Sequence, residues 1–298
     1  MTQVLAAITP EYAFVVADRR TTYVEGRRRG TVASEQECKL VSLCHVSAIG
    51  YTGYSELQGI PTHEWIATTL AKSNCHHAHE ASKVLAESTN AALPPASAQL
   101  RRHAFLLCGW APFEPDRLVK PHMCLISNYH DEAMLPTANA REDFRVNVRT
   151  LRLSESVAVF SVGEPLRPGR EVSLTRSIRR ALAHENDPAS TLRLLVEEVF
   201  TTSDRTSTVG DRVQACCIPI ASAYNLFTSG RSRLSGLRPR ADRTTFSYYD
   251  REYNEYTQHG PTTTCGQSAF ADLKYERSTS GPEQSAQMRV LHAPPREP

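Results

Sequence analysis

The stretch MTQVLAAITPEYAFVVADRRTT, residues 1–22, decides how this chain is read. Residues 4–8 and 13–17 are apolar runs, and Pro10-Glu11 between them supplies a turn. Short apolar runs bounded by a turn signal predict two paired, fully buried strands. The second run stops on Ala17-Asp18-Arg19-Arg20-Thr21-Thr22, and the first is preceded by Thr2. A plain strand pair with a charged exit explains this. So does a second reading, in which Thr2 becomes the N-terminus and works there. Thr2 is small, so removal of Met1 is expected, leaving a hydroxyl and a free α-amine on one residue. A threonine hydroxyl needs a base to become a useful nucleophile. An α-amine with an ordinary pKa of about 8 can accept that proton near neutral pH.

The chain has 298 residues, enough for one large domain or two modest ones. No apolar run is long enough to span a bilayer. The start lacks a basic segment, and Pro10 and Glu11 interrupt its apolar run, so no secretory signal is read. A cytoplasmic protein is expected, without a membrane partner. The net charge of +2 gives no general pull toward nucleic acid. The eight cysteines, at 38, 44, 75, 108, 124, 216, 217 and 265, contain no Cys-x-x-Cys pair. Free thiols in a reducing compartment fit that pattern.

Further strands are expected at residues 39–43, 46–51, 105–110, 123–127, 144–153, 156–162 and 212–220. Helix periodicity covers residues 57–70, with Pro61 delaying the start, then 79–93, stopped by Pro94-Pro95. Two more helices are read at 172–183 and 189–202, with Asp187-Pro188 as cap and first turn. Strands separated by pairs of helices predict two sheets face to face with helices outside. Residues 1–221 are thus read as one domain. Residues 222–298 are read as an Arg-, Tyr- and Pro-rich extension, partly disordered, with one strand expected near 270–275.

The motif spacing resembles proteasome-type β subunits, threonine members of the N-terminal nucleophile hydrolases. In that family an Asp follows the catalytic Thr by sixteen residues, and Thr2 plus sixteen is Asp18. A catalytic Lys comes next, matched by Lys39 in Glu37-Cys38-Lys39-Leu40-Val41, after a loop lengthened by residues 25–30. The family's oxyanion-hole Gly lies fourteen residues beyond its Lys, and Lys39 plus fourteen is Gly53. Phe160-Ser161-Val162-Gly163 resembles the strand that ends before the third helix. Asp204-Arg205-Thr206-Ser207 resembles the Asp-x-x-Ser that orders the threonine amine. The likeness covers residues 2 to about 220. It departs at Glu164-Pro165, where the family usually has Ser after the Gly. As in Anbu-like and other bacterial proteasome-like peptidases, a Thr without a preceding propeptide is expected.

The resemblance implies an α+β, four-layer αββα sandwich and an enzyme without a cofactor or metal. Thr2 would attack a peptide or amide carbonyl. Asp18 would keep the Lys39 ammonium charged, and Lys39 would stabilise the threonine alkoxide. The Gly53 N–H would stabilise the oxyanion, and Asp204 and Ser207 would place the amine. Each residue also has a plainer reading: Asp18 with Arg20 as a surface turn, Lys39 as a solvated strand end, Gly53 as a turn, Asp204 and Ser207 as helix-end polarity. By the same likeness, Thr21, Glu37, Val41 and Tyr51 would line the main specificity pocket. Glu37 would favour a basic side chain there, unless it pairs with one of Arg27, Arg28 or Arg29. The implied partners are a peptide or protein substrate, further copies of the chain in a ring or helical stack, and an ATP-dependent unfoldase. The alternatives are a silent structural subunit and a small-molecule amidase.

Three other signals are weaker. Cys75-His76-His77-Ala78-His79 offers zinc-ligand chemistry, but no second Cys/His pair lies at ligand spacing, so a polar helix start is preferred. Arg231, Arg233, Arg238, Arg240 and Arg243 are interspersed with Ser, Gly and Pro and followed by acids, which suits a solvated linker better than phosphate binding. Tyr248, Tyr249, Tyr253 and Tyr256 suit either docking on a neighbouring subunit or a disordered segment.

Overall fold

The computed structural model describes residues 2–22, 31–34, 37–73, 75–113, 118–152, 154–185, 187–227, 244–250, 254–258, 262–264, 267–273 and 286–291. The chain begins with strands β1 (Gln3–Ile8), β2 (Tyr12–Asp18), β3 (Thr21–Thr22), β4 (Val32–Ser34), β5 (Leu40–Leu43), β6 (Ser47–Thr52), β7 (Glu56–Leu57) and β8 (Ile60–Pro61). Helices α1 (Thr62–Ser73), α2 (Ala78–Ala92) and α3 (Pro95–Leu100) come next, then β9 (Ala104–Phe113), β10 (Leu118–Ser127), β11 (Arg145–Thr150) and β12 (Ala158–Gly163). Helices α4 (Arg170–Glu185) and α5 (Pro188–Ser203), strand β13 (Arg212–Pro219) and helix α6 (Ile220–Phe227) follow. Strands β14 (Thr245–Asp250), β15 (Asn254–Gln258), β16 (Thr262–Thr264), β17 (Gln267–Leu273) and β18 (Ala286–Leu291) complete the described elements.

The architecture is mixed α and β, built on mainly antiparallel sheets. One sheet runs β12-β1-β2-β13-β14-β15, and the other runs β11-β10-β9-β6-β5-β16-β17-β18. Within these two sheets the β5–β16 pair is parallel. The opening run behaves as its composition demands: every residue of β1 and β2 is buried. The turn between them is closed by Thr9, whose hydroxyl accepts the Tyr12 N–H at 2.8 Å and the Glu11 N–H at 3.3 Å.

Strand alternation sends successive side chains to opposite faces. Val4, Ala6, Ile8 and Val15 form one buried cluster with Leu40, Ala48, Leu106 and Trp110 of the other sheet. Leu5, Ala7, Phe14 and Val16 pack instead with Leu174 and Ile178 of α4 and Leu195 and Val199 of α5. The second sheet turns Val41, Ile49, Tyr51 and Phe105 toward Trp65 and Leu70 of α1 and Leu85 of α2. Asp187 caps α5 by accepting the Ala189 N–H at 3.1 Å, as its place before Pro188 predicts.

Pro94-Pro95 ends α2 and also opens α3, because proline fits the first helical position, where its missing N–H has no partner to lose. Helix α6 spans residue 221, the expected end of the first domain. Beyond it, β14 pairs with β13 and carries Tyr248 and Tyr249 into the first sheet, with Tyr249 buried beside α5; Tyr256 lies in β15, and Tyr253 lies outside the described residues. The strand expected near residue 270 appears as β17. The arginines between 231 and 243 lie outside the described residues. No helix among the described residues is long and apolar enough to cross a membrane.

Candidate active site

Thr2 immediately precedes β1 and is held by its backbone. Gln3 pairs with Gly163 across one neighbouring strand, and Val4 pairs with Ala17 across the other. The Thr2 carbonyl accepts the Glu164 N–H at 3.0 Å and the Thr52 hydroxyl at 3.5 Å. Gly163 has φ +85°, and a Cβ there would fall 1.8 Å from the Thr2 carbonyl oxygen. Only glycine allows this approach. Glu164, which stands where the resembled family has Ser, thus meets Thr2 through its main chain.

Lys39 lies just before β5, 3 % exposed, and its Nζ donates to the Thr2 hydroxyl at 3.0 Å. Gln214 of β13 fixes the Lys39 backbone: its side-chain oxygen accepts the Lys39 and Leu40 N–H groups, both at 3.1 Å. Asp18, the last residue of β2, is fully buried. It accepts the Gln3 N–H at 2.6 Å, the Arg20 N–H at 3.1 Å and the Gly210 N–H at 3.2 Å. No hydrogen bond joins it to Lys39 among the described residues; their attraction acts through space. Burial pushes the Asp18 carboxyl up to about 6, against the pull of Lys39 and the three N–H groups. Burial lowers the Lys39 pKa, while Asp18 and Glu37 raise it and Arg101 adds to the lowering. The result is a desolvated ammonium in contact with a hydroxyl, with a carboxylate behind it.

Gly53 forms the turn at the end of β6, with φ +108°. A Cβ there would meet the Arg102 carbonyl at 2.5 Å and His103 Nδ1 at 2.6 Å. Its neighbour Thr52 is the residue whose hydroxyl reaches Thr2. Asp204 and Ser207 follow α5, and both are exposed. Neither hydrogen-bonds to Thr2 among the described residues. Ser207 joins the site at one remove: its carbonyl accepts from the Arg20 guanidinium at 2.9 Å, beside the Asp18 turn.

Of the residues expected to line a specificity pocket, Glu37 and Tyr51 meet. The Tyr51 hydroxyl donates to Cys38 carbonyl at 2.8 Å and to Glu37 Oε1 at 3.4 Å. His63 Nδ1 lies 3.6 Å from the same carboxylate oxygen. Burial raises the Glu37 pKa, but His63, Lys39 and Tyr51 together bring it below its ordinary value. Val41 and Tyr51 are fully buried against α1, and Thr21 is half-buried in β3, paired with Ser34. Arg27, Arg28 and Arg29, the alternative partners for Glu37, lie outside the described residues.

Sequence reasoning missed Thr52, His63, His103, Gln214 and Tyr129, whose hydroxyl accepts the Gly163 N–H at 3.2 Å. Gln214 meets Lys39 across 175 residues, and no local pattern signals such a pair. The Cys75–His79 region serves as the start of α2: His77 Nδ1 accepts the Glu80 N–H at 3.5 Å, and the Glu80 carboxylate accepts the His76 N–H at 2.9 Å. Among the described residues no group of three or more His, Cys, Asp or Glu is arranged to hold a metal ion. No protein-family model matches the chain, and no curated protein matches it.

Proposed function

We propose that this chain is a threonine-type N-terminal nucleophile hydrolase that cleaves peptide or amide bonds, with Thr2 as nucleophile once Met1 is gone. The reading rests on one contact: the buried Lys39 ammonium, 3.0 Å from the Thr2 hydroxyl, with buried Asp18 behind it. A four-layer αββα arrangement like that of proteasome β subunits belongs to the proposal. The packing of α4 and α5 on one sheet, and of α1 and α2 on the other, supports it.

In the proposed reaction the Thr2 oxygen attacks the substrate carbonyl carbon, and the α-amine takes its proton. The C–O bond forms as the carbonyl electrons move to oxygen. Lys39 lowers the cost of the forming alkoxide, and the Gly53 N–H faces the oxyanion. The amine then passes its proton to the leaving nitrogen, the C–N bond breaks and a Thr2 ester remains. Water hydrolyses that ester and restores the hydroxyl. While Met1 is attached, the Thr2 nitrogen is an amide and cannot act as the base. The chemistry needs no cofactor, and by the same family likeness the chain assembles with copies of itself and receives substrate from an ATP-dependent unfoldase.

The test is intact-mass analysis of the purified chain, with and without a peptide vinyl sulfone. Met1 is expected to be absent and one adduct to sit on Thr2. A chain lacking Met1 that takes no adduct overturns the hydrolase reading. It would favour a silent structural subunit, a reading supported by the exposure of Asp204 and Ser207 and by Glu164 in place of Ser. Labelling with turnover of small acyl amides but not of peptides would move the assignment to a small-molecule amidase.

A further inference from the structure

Behind the Gly53 turn lies a buried histidine for which the proposed mechanism has no use. His103 is 0 % exposed and sits just before β9. Its Nδ1 accepts the Tyr54 N–H at 2.9 Å, so the ring proton is on Nε2. That Nε2 is buried and has no hydrogen-bond partner among the described residues. The ring stands edge-on to Phe105 at 4.5 Å and to Phe144 at 5.8 Å. A phenylalanine or leucine would fill such a niche without burying an unpaired N–H, which is unfavourable. What the imidazole adds is the acceptor at Nδ1.

The surroundings make that acceptor rigid. The His103 backbone N–H donates to Asn128 Oδ1 at 2.9 Å, and the Asn128 amide donates to the carbonyls of Ala98 at 2.8 Å and Arg101 at 3.0 Å. On the other side of Gly53, Thr52 is paired with Ala104. The turn is therefore gripped at both ends: by the sheet before Gly53, and after it by Tyr54, whose carbonyl accepts the Thr62 hydroxyl at 2.8 Å, whose hydroxyl donates to the Ser97 carbonyl at 2.8 Å and whose N–H, the group next to Gly53, is held by the imidazole. Gly53 itself, at φ +108°, has no side chain to restrict it. Without the imidazole, a flip of the Thr52–Gly53 peptide, which the φ of a glycine is free to follow, would re-aim the Gly53 N–H.

We propose that His103 is a positioning residue for the Gly53 N–H, holding it on the carbonyl oxygen that becomes negative when Thr2 attacks. This rests on the hydrolase reading above. The ring acts as a fixed neutral acceptor and exchanges no proton with substrate. Burial, with Arg101 and Lys39 nearby, holds its pKa down to about 3, which keeps the ring neutral at working pH.

The experiment compares wild type with His103→Ala, His103→Asn and His103→Gln. Asparagine places its side-chain oxygen near the position of Nδ1; glutamine places it nearer Nε2. Each protein is assayed for turnover of a peptide amide and for the rate of Thr2 labelling by a vinyl sulfone. The amide needs the oxyanion donor. The vinyl sulfone adds to Thr2 without forming a carbonyl oxyanion, and so reports on the nucleophile and on folding. His103→Ala should lower kcat about tenfold to a hundredfold with KM within about twofold, since re-aiming a donor costs less than deleting it. Its labelling rate should match wild type, His103→Asn should recover most of kcat, and His103→Gln should not. The proposal is overturned if His103→Ala keeps wild-type kcat, if labelling falls in step with kcat, or if glutamine rescues as well as asparagine. Should the alanine variant fail to fold, the asparagine–glutamine pair decides alone. A Met1-free wild type that neither labels nor turns over overturns the hydrolase reading itself, and this role with it.

Discussion

Two carboxylates expected to serve the reaction sit in very different settings. Asp18 is fully buried, accepts three backbone N–H groups and has the Lys39 ammonium close by. Asp204 is exposed at the end of α5, where its own N–H bonds back to the Phe200 carbonyl. In water a charge is screened and loosely placed; in a dry interior the same charge acts strongly on its neighbours. The Asp18 side therefore has its electrostatics built in before any substrate arrives. The Asp204 side has its residues near the end of a helix but no grip on Thr2.

The largest effect is expected at the buried end. Thr2→Ala should reduce turnover about a thousandfold or more, as loss of a nucleophile does, while the melting temperature stays close to wild type. Lys39→Ala should lose turnover and stability together. Removing one partner of a buried pair leaves the other charge uncompensated, at a cost of about 3–5 kcal/mol. Denaturant unfolding and steady-state kinetics on the two variants check both statements. A Lys39→Ala protein as stable as wild type would break the contrast between the two carboxylates.

Asp18 also predicts a pH dependence. Its carboxyl is raised from 3.8 to about 6 in the folded chain. The folded state therefore binds this proton more tightly than the unfolded state. Asp18 contributes stability at low pH that is lost as pH rises from about 4 to about 6. About two pKa units correspond to about 3 kcal/mol. The stability of wild type relative to Asp18→Asn should thus fall across that window and level off above it. Activity should run the other way, declining below pH of about 6 as Asp18 takes its proton. A wild-type–variant difference that does not change with pH would show Asp18 to be less buried in solution than here.

A smaller effect is expected in substrate choice. If Glu37 faces the substrate, peptides with Arg before the cut bond should be preferred over Leu and Glu in kcat/KM. Glu37→Gln should erase about tenfold of that preference, the size of one partly screened charge pair. The close contacts of Glu37 with Tyr51 and His63 make the preference weaker than a free carboxylate would give. The smallest change is expected for Asp204→Asn and Ser207→Ala, each within about threefold in kcat, because both side chains are exposed and neither hydrogen-bonds to Thr2 among the described residues. A tenfold loss in either would mean that freeing the α-amine draws this end inward, and the two carboxylates would then be equal partners.

The buried end was the more legible one. Continuous apolar composition announced β1 and β2; Asp18 closes β2 and Lys39 stands just before β5. Asp187-Pro188 marked the start of α5 by local capping chemistry alone. Elements that depend on distant partners were harder. Strand β14 is stabilised by the edge of β13, and polar, tyrosine-rich residues become a strand there only because that edge is open to them. Helix α6 starts directly after Pro219, the last residue of β13, and the strand and the helix are joined with no loop between them.

By itself the sequence determined what is local: which runs bury both faces, where turns and caps fall, and how many residues separate Thr2, Asp18, Lys39 and Gly53. Those signals live in neighbouring side chains and in backbone preference. The tertiary structure alone decided that Lys39 is dry and touches Thr2, that Gln214 braces it from β13, and that Asp18 spends its oxygens on backbone N–H groups. It also set His103 against Gly53 and left Asp204 in water. Burial and partner choice arise from packing elements that are far apart in the chain, and no window of sequence contains both halves of such a contact.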